Sequence, residues 1–416
     1  MADFSVADRE KIKEICARLT EHIREKNVCV FRGHKKPLFL ISENYFGVWL
    51  EHVFDSVVYA ETYPEEGLEI AKNTIELFLT RQKEDGQYPC YVWDGSRSHL
   101  SDKQNVGWAQ IQECVSFGRL CLRVCAMLGD EKLYERCYYS LKKWVEWQKA
   151  NRMRTKRGLV EMYVGYDTGH DNSGRLSGLR YPENHRFFGI ERNAAVYPYF
   201  DKVAPILAVD MNCVYFGDLT ALGTFADKLG RKEDSLRWKK EAEEVKRNIF
   251  RYCFDEDDCF FYDVDKKGRK RKYLSSTVLH LFQEGVLDPE KDKKVIEELF
   301  RRHIFNEKEF WTPYPFPSMA INDPSTKKHK NKNDWGYFTQ GNTVLRTVLW
   351  MDKYGLNAEQ DMVCAAWLKG WTACFERMPV GQELDPVTGE PSPSAPWYSS
   401  GMLFYLWSAK RSGIID

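Results

Sequence analysis

Apolar side chains recur at i, i+3, i+4 and i+7 along most of this chain, in segments of about 12–24 residues separated by polar, glycine-containing breaks. That period gathers apolar residues on one face of an α-helix. It predicts helices near residues 8–26, 51–62, 65–83, 108–128, 131–150, 206–229, 232–251, 272–285, 290–303, 341–354, 357–376 and 397–411. Most of these twelve fall in pairs with short links, such as Leu128–Gly129–Asp130 and Leu229–Gly230–Arg231. In the second, Gly230 stands where a helix end favours a left-handed residue. Hairpins of this kind bury a face against their neighbours, and twelve helices can close into an all-α, six-hairpin (α/α)6 toroid. No fixed-period repeat runs through the sequence, which argues against an open solenoid of identical units. The expectation is a single domain over residues 1–416 with minor β elements, the helix and extended segment of residues 1–40 packing on it.

The connections alternate between short and long. Those at 84–107, 152–204, 304–340 and 377–396 are long and rich in Gly, Pro, Asp, Asn and aromatic residues, among them Tyr88, Trp93, Tyr163, Tyr166, Tyr181, Phe187, Phe188, Trp311, Tyr314, Trp335, Tyr337, Trp397 and Tyr398. Loops of that length in a compact domain are usually functional or disordered, and these are too aromatic for disorder. If alternate connections share one rim, they converge over one mouth. A pocket walled with Trp and Tyr suits sugar rings, whose C–H faces pack on aromatics while their hydroxyls need polar partners. The competing reading is that the aromatics plug the mouth as core.

Composition narrows the classes. Lys plus Arg and Asp plus Glu both number 61, so no net field favours nucleic acid or an anionic membrane. The basic run Lys327–Lys332 lacks interleaved aromatics and reads as a solvated loop. No stretch approaches the roughly 18 unbroken apolar residues of a membrane helix. The N-terminal MADFSVADREKIKEICARL has no apolar h-region, which predicts no signal peptide. The 12 cysteines are scattered through helical segments without a C-x-x-C pair, so zinc is unsupported and free thiols in a reducing cytoplasm are expected. No cofactor or metal is called for, and the oligomeric state is left open.

Two polar clusters could carry chemistry. Tyr166-Asp167-Thr168-Gly169-His170-Asp171-Asn172-Ser173-Gly174-Arg175 packs acids, a histidine, an amide and an arginine between glycines. Such groups are costly to bury unless mutually paired, so the choice is between a functional site and a self-satisfied polar turn. In Gly381-Gln382-Glu383-Leu384-Asp385-Pro386-Val387-Thr388-Gly389-Glu390-Pro391, Glu383 precedes a turn marked by Asp-Pro and Thr-Gly, and could face the mouth or solvent. Asp334 through Asn342 reads as a substrate platform, and Asp210-Met211-Asn212 as a helix opening. The acidic run Asp255–Asp258 with Asp263 and Asp265 lacks the pattern of a calcium loop and reads as a β-turn. Nucleophile-elbow, Walker and dinucleotide motifs are missing.

In this order the clusters resemble the trehalase-like group of (α/α)6-barrel glycoside hydrolases, and within it family 63 and relatives acting on mannosylglycerate or glucosylglycerate. Thr168–Arg175 is similar to the group's S-G-hydrophobic-D-N-S-P-R stretch, with Gly174 in place of proline; the resemblance implies that Asp171 is the general acid. Gln382–Glu390 is similar to E-Y-Y-D-P-x-T-G-E and nominates Glu383 as base. That glutamate sits one residue nearer the proline than in the pattern, which leaves Gln382 at the base position and Glu376 and Glu390 as alternatives. Asp210 with Asn212, Asp334–Asn342 (without the group's R-G-P) and Gln82–Pro89 extend the likeness over about residues 40–410. The segment Tyr181–Pro205 is longer than its counterpart, as a specificity lid would be.

The resemblance implies an inverting, exo-acting hydrolase releasing a terminal α-linked glucose or mannose from a small carbohydrate. Asn172, Arg175 and Gln340 would hold sugar hydroxyls; Trp49, Trp93 and Trp335 would form a platform; Gln112, Tyr166, Asp210 and Trp397 would complete the pocket. Alternatives on the same architecture are a sugar 2-epimerase, which relies on paired histidines, and an unsaturated glucuronyl hydrolase, which needs basic pocket residues. A non-enzymatic helical scaffold would leave the long aromatic loops without a reason.

Overall fold

The computed structural model describes residues 4–32, 34–42, 45, 47–94, 106–179, 194–329 and 335–416. Its α-helices are α1 Val6–His22, α2 Val53–Thr62, α3 Pro64–Arg81, α4 Phe117–Leu128, α5 Glu131–Arg152, α6 Val209–Lys228, α7 Lys232–Cys253, α8 His280–Gln283, α9 Lys293–Leu299, α10 Gly341–Arg346, α11 Asn357–Cys374 and α12 Ser399–Arg411. Each coincides with a helix expected from the periodicity. Local chemistry sets the ends. Ser5 accepts the Asp8 amide at 3.1 Å and starts α1, Asp130 accepts the Leu133 amide at 3.0 Å and starts α5, and Gly230 takes φ +71° beyond α6.

The largest departure is at 108–116, expected as helix. Ser116 caps α4 by accepting the Arg119 amide at 3.1 Å, and Gln112 adopts φ +54°, so the chain cannot be helical until Phe117. Helices α8, α9 and α10 are shorter than expected because each passes into or out of a 3-10 or π turn.

Packing follows the alternation of helices. Helix α2 packs on α4, α4 on α6, and α6 on α8; α10 packs on α12, and α12 returns to α2. Between α8 and α10 the link is polar: Arg346 donates to His280 Nε2 at 3.0 Å. The other helices lie behind these, α3 on α2, α5 on α4, α7 on α6 and α11 on α12, while α1 packs on α11 and α12. One connected apolar cluster runs from Phe4 to Ile414. The strands are short: β1 Val28–Cys29 pairs with β2 Leu38–Phe39, β3 Gly47–Trp49 and β5 Val106–Gly107 flank β4 Tyr91–Trp93, β6 Phe254–Asp255 pairs with β7 Phe260–Phe261, and β8 Thr339–Gln340 pairs with β9 Glu383–Leu384. The acidic run forms the β6–β7 hairpin, with Asp255 and Asp258 paired to Lys272. Among the described residues no helix is long and apolar enough to cross a membrane. All 12 cysteines are free.

Three carboxyl groups are buried where α4 starts. Asp218 Oδ1 accepts from the Ser116 hydroxyl at 2.7 Å and the Gly118 amide at 3.0 Å; Glu113 accepts from the Phe117 amide at 2.8 Å and the Trp144 indole at 3.1 Å; Glu284 accepts from the Ser116 amide at 3.2 Å. The helix N-terminus offers them a positive field. Burial pushes the Asp218 carboxyl up to about 7, with the charge of Glu284 adding to it. The native state therefore holds this proton up to about pH 7, whereas the unfolded chain releases it near pH 4. This group's contribution to stability falls as pH rises through that interval and is flat above it. Asp218→Asn keeps the Oδ1 acceptor and carries no charge. Its urea midpoint is expected to change less between pH 5 and 7.5 than that of the wild type; equal slopes would exclude the titration of Asp218 as their cause.

Candidate active site

The loop after α5 carries the first cluster, and a buried ion pair shapes it. Arg152 donates from both terminal nitrogens to Asp167, at 2.7 and 3.0 Å, and both side chains are fully buried. Asp167 also accepts the amides of Ile111, Tyr163 and Val164 at 2.9, 2.8 and 3.1 Å. One aspartate thus joins the end of α5, the segment before α4 and the loop itself. The chain then turns at Gly169, φ +71°, where a side chain would collide with the Glu51 carboxylate.

Beyond that turn stands Asp171. Its Oδ1 is buried without a hydrogen-bond partner. Burial first, and the neighbouring Glu51 charge second, push this carboxyl well above the usual carboxylate range. Glu383 comes from β9. Its backbone pairs with Gln340 of β8, its Oε1 accepts the Ser392 hydroxyl at 2.6 Å, and its Oε2 accepts the Gln340 amide. Glu383 is 0% exposed. The alternatives lie elsewhere: Glu376 is exposed, Glu390 pairs with Arg377 on the surface, and the Gln382 side chain is taken by Ser394. Tyr45 feels the charge of all three acids. Its hydroxyl is pushed up by burial and then by the charges of Glu51, Asp171 and Glu383.

An aromatic wall continues from Tyr45. Its ring meets Trp49 edge-on at 5.5 Å, and Trp49 lies 5.6 Å from Tyr91 and 5.8 Å from Trp93. These rings stand on the β3–β4–β5 sheet, and the Trp93 indole N–H is a buried donor without a partner. Trp335 packs edge-on against His170 at 4.5 Å. Tyr166 is half-buried in the turn before Asp171, Gln112 lies buried before α4 accepting from Gln110 at 2.6 Å, and Asn172, φ +58°, is exposed.

Three expectations are corrected. Arg175 and Asp210 do not line the pocket, because their charges are turned on one another. Arg175 is 2% exposed and donates to Asp210 at 2.5 Å, Asp263 at 2.7 Å and Thr168 at 3.1 Å. Against the cost of burial, Arg175 and His170 hold the Asp210 carboxyl well below its ordinary range. Trp397, with φ +59°, stacks on His22 of α1 at 4.1 Å. Tyr88 is core, wedged between Phe117 and Trp144 at 4.9 and 5.3 Å. Asp334, most of the proposed lid (residues 181–193) and part of the basic run (330–332) lie outside the described residues.

Sequence reasoning missed Glu51, taken as part of a helix opening, and Arg346, taken as part of an apolar helix. Arg346 donates to His170 Nε2 at 3.1 Å as well as to His280 Nε2, bringing together two histidines whose rings lie 5.3 Å apart. Burial lowers His170 to about 4 and His280 well below its ordinary range, so both rings are neutral. Their remaining nitrogens face the Asp210 carboxylate and the Thr277 carbonyl, 3.1 and 3.0 Å away.

Residues 67–335 match a family described as the mannosylglycerate hydrolase MGH1-like glycoside hydrolase domain. Among solved structures, the fold is similar to that of the GH63 mannosylglycerate hydrolase from Thermus thermophilus in complex with glucose (TM-score 0.72, 17% identity, 94% of this chain and 99% of that one). It is also similar to that of neutral trehalase from Saccharomyces cerevisiae (TM-score 0.64, 16% identity, 90% and 73%). A probable trehalase of Eremothecium gossypii is 25% identical over 214 residues, 50% of this chain and 26% of that protein. The chain spans only 26–38% of the length of the curated relatives it matches.

Proposed function

Because this chain belongs to the mannosylglycerate hydrolase MGH1-like glycoside hydrolase family, we propose that it is an inverting α-glycosidase that removes a terminal glucose or mannose from a small glycoside such as a glycosylglycerate. Asp171 is the general acid and Glu383 the general base. The observation that carries this reading is the contrast between the two carboxyl groups. Asp171 has a buried, unpartnered oxygen and holds its proton far above the usual range, while Glu383 accepts bonds on both oxygens. Two acids whose surroundings differ in this way match a division into proton donor and water-steering base. Inversion needs room for a water between the base and the sugar, with carboxyl groups about 6.5–9.5 Å apart.

The wall of Tyr45, Trp49, Tyr91 and Trp93 supplies the apolar faces on which a sugar ring packs, and the Trp93 N–H, Gln112 and Gln340 supply polar contacts to its hydroxyls. The packing order of the helices supports closure into a single (α/α)6 toroid, with the long connections at one mouth. Twelve free thiols favour a reducing, cytoplasmic setting.

A proton NMR time course with α-mannosyl- and α-glucosylglycerate and simple α-glucosides and α-mannosides tests this. The β-anomer of the released sugar is expected first. An α-anomer appearing first would mean retention and remove the water-steering role from Glu383; no release from any of them would refute the substrate class.

A further inference from the structure

Glu51 lies in the turn between β3 and α2. Its Oε1 is 3.1 Å from His52 Nε2. That imidazole is braced: its Nδ1 lies 3.1 Å from Asp55, and the Tyr398 hydroxyl lies 2.9 Å from its Nε2. Asp55 in turn accepts the hydroxyls of Ser399 and Ser400 at the start of α12. Burial opposes charge on His52, but Asp55 and Glu51 outweigh it and raise the ring to about 9, so it is a cation at neutral pH. One oxygen of Glu51 is thus pinned by a fixed cation.

The other oxygen is not pinned. Glu51 Oε2 is buried without a hydrogen-bond partner and is turned toward Gly169, two residues before Asp171. Asp171 Oδ1 is likewise buried and unpartnered. The titratable groups around Glu51 are His52, Asp55 and Tyr398 from α2 and α12, Tyr45 before β3, Cys114 before α4, and Asp171. Of these His52 is a cation and it faces the far oxygen; the Arg346 guanidinium, beyond Cys114, is engaged by His170 and His280. A negative charge beside a carboxyl group disfavours that group's own ionisation, and Glu51 meets the loop that carries Asp171 at Gly169.

We propose that Glu51 is a positioning residue for Asp171: a negative charge, oriented by the His52–Asp55–Tyr398 brace, that keeps the neighbouring carboxyl in its proton-donating form. This rests on the reading of Asp171 as the acid. In turnover the proton passes from Asp171 to the glycosidic oxygen as the bond to the anomeric carbon breaks. The attacking water gives its own proton to Glu383, and Glu51 neither gives nor takes one.

Glu51→Gln tests the proposal, because it keeps the size and the Oε1 acceptor but removes the charge. The pH dependence of kcat and KM is measured, for variant and wild type, on the glycosylglycerate that the wild type hydrolyses. The basic limb of the kcat profile, where the acid loses its proton, is expected to move to lower pH by about one unit. KM should stay within about twofold, and activity should recover in acid. Glu51→Asp, which draws the charge back, should move the limb the same way by less, and serves alone if the glutamine variant does not fold. An unmoved limb, a loss of kcat equal at every pH, or a defect confined to KM would overturn the proposal while leaving the hydrolase reading standing. Normal turnover by Asp171→Asn would instead remove the acid itself, and this proposal with it.

Discussion

Asp171→Asn is expected to lower kcat on a glycosylglycerate by roughly 10²–10⁴-fold, the usual contribution of a positioned acid or base. Its thermal midpoint should stay close to that of the wild type. The structural reason is that Asp171 Oδ1 has no hydrogen-bond partner to lose, so an amide of the same shape fits the space. The loss should depend on the leaving group. Fluoride departs with little help from a proton, so glucosyl or mannosyl fluoride should be cleaved by Asp171→Asn far more nearly at the wild-type rate than the glycerate ether is. Glu383→Gln should lose a comparable factor on both substrates, because the water still has to be deprotonated. If Asp171→Asn is equally slow on the fluoride and the glycoside, Asp171 is not the proton donor.

The second large effect is on stability. Asp167→Ala is expected to cost about 3–5 kcal/mol, the range for breaking a fully buried ion pair by removing one partner. Arg152 would be left as an uncompensated buried cation, and the amides of Ile111, Tyr163 and Val164 would lose their acceptor together. Urea unfolding measures the global loss, and limited proteolysis between residues 153 and 176 reads the local one. Asp167→Asn, which retains an acceptor, should fall between Ala and wild type. A loss below about 1 kcal/mol for Asp167→Ala would mean that Arg152 finds solvent or another partner, contrary to its full burial.

The helices were legible because periodicity, caps and breakers are local. Ser5, Asp130 and Gly230 act on neighbours a few residues away, and the apolar stripe records which face is buried. Asp171 and Glu383 stood out as candidates through loop composition and family likeness. What could not be read was direction. Trp397 looks like any rim tryptophan until φ +59° turns it onto His22. Asp263 follows an acidic run that reads as a β-turn, yet it accepts from Arg175 across 88 residues of sequence at 2.7 Å. Glu51 stands at the head of an apolar helix, where an acid is ordinary, and only tertiary packing places it against Gly169. His170 and His280 become a pair through Arg346, which contacts both from a third segment.

The two-residue ladder between β8 and β9 has a consequence for how such a site changes over generations. The position of Glu383 is indexed by main-chain pairing with Gln340, and the ladder is laced on either side by bridges between Pro317 and Thr339 and between Leu384 and Pro391. Main-chain bonds do not depend on which side chains flank them. Sequence drift in the surrounding loops can therefore remodel the neighbouring walls without displacing Glu383, so the proposed base and the residues around it are free to evolve at different rates on this scaffold.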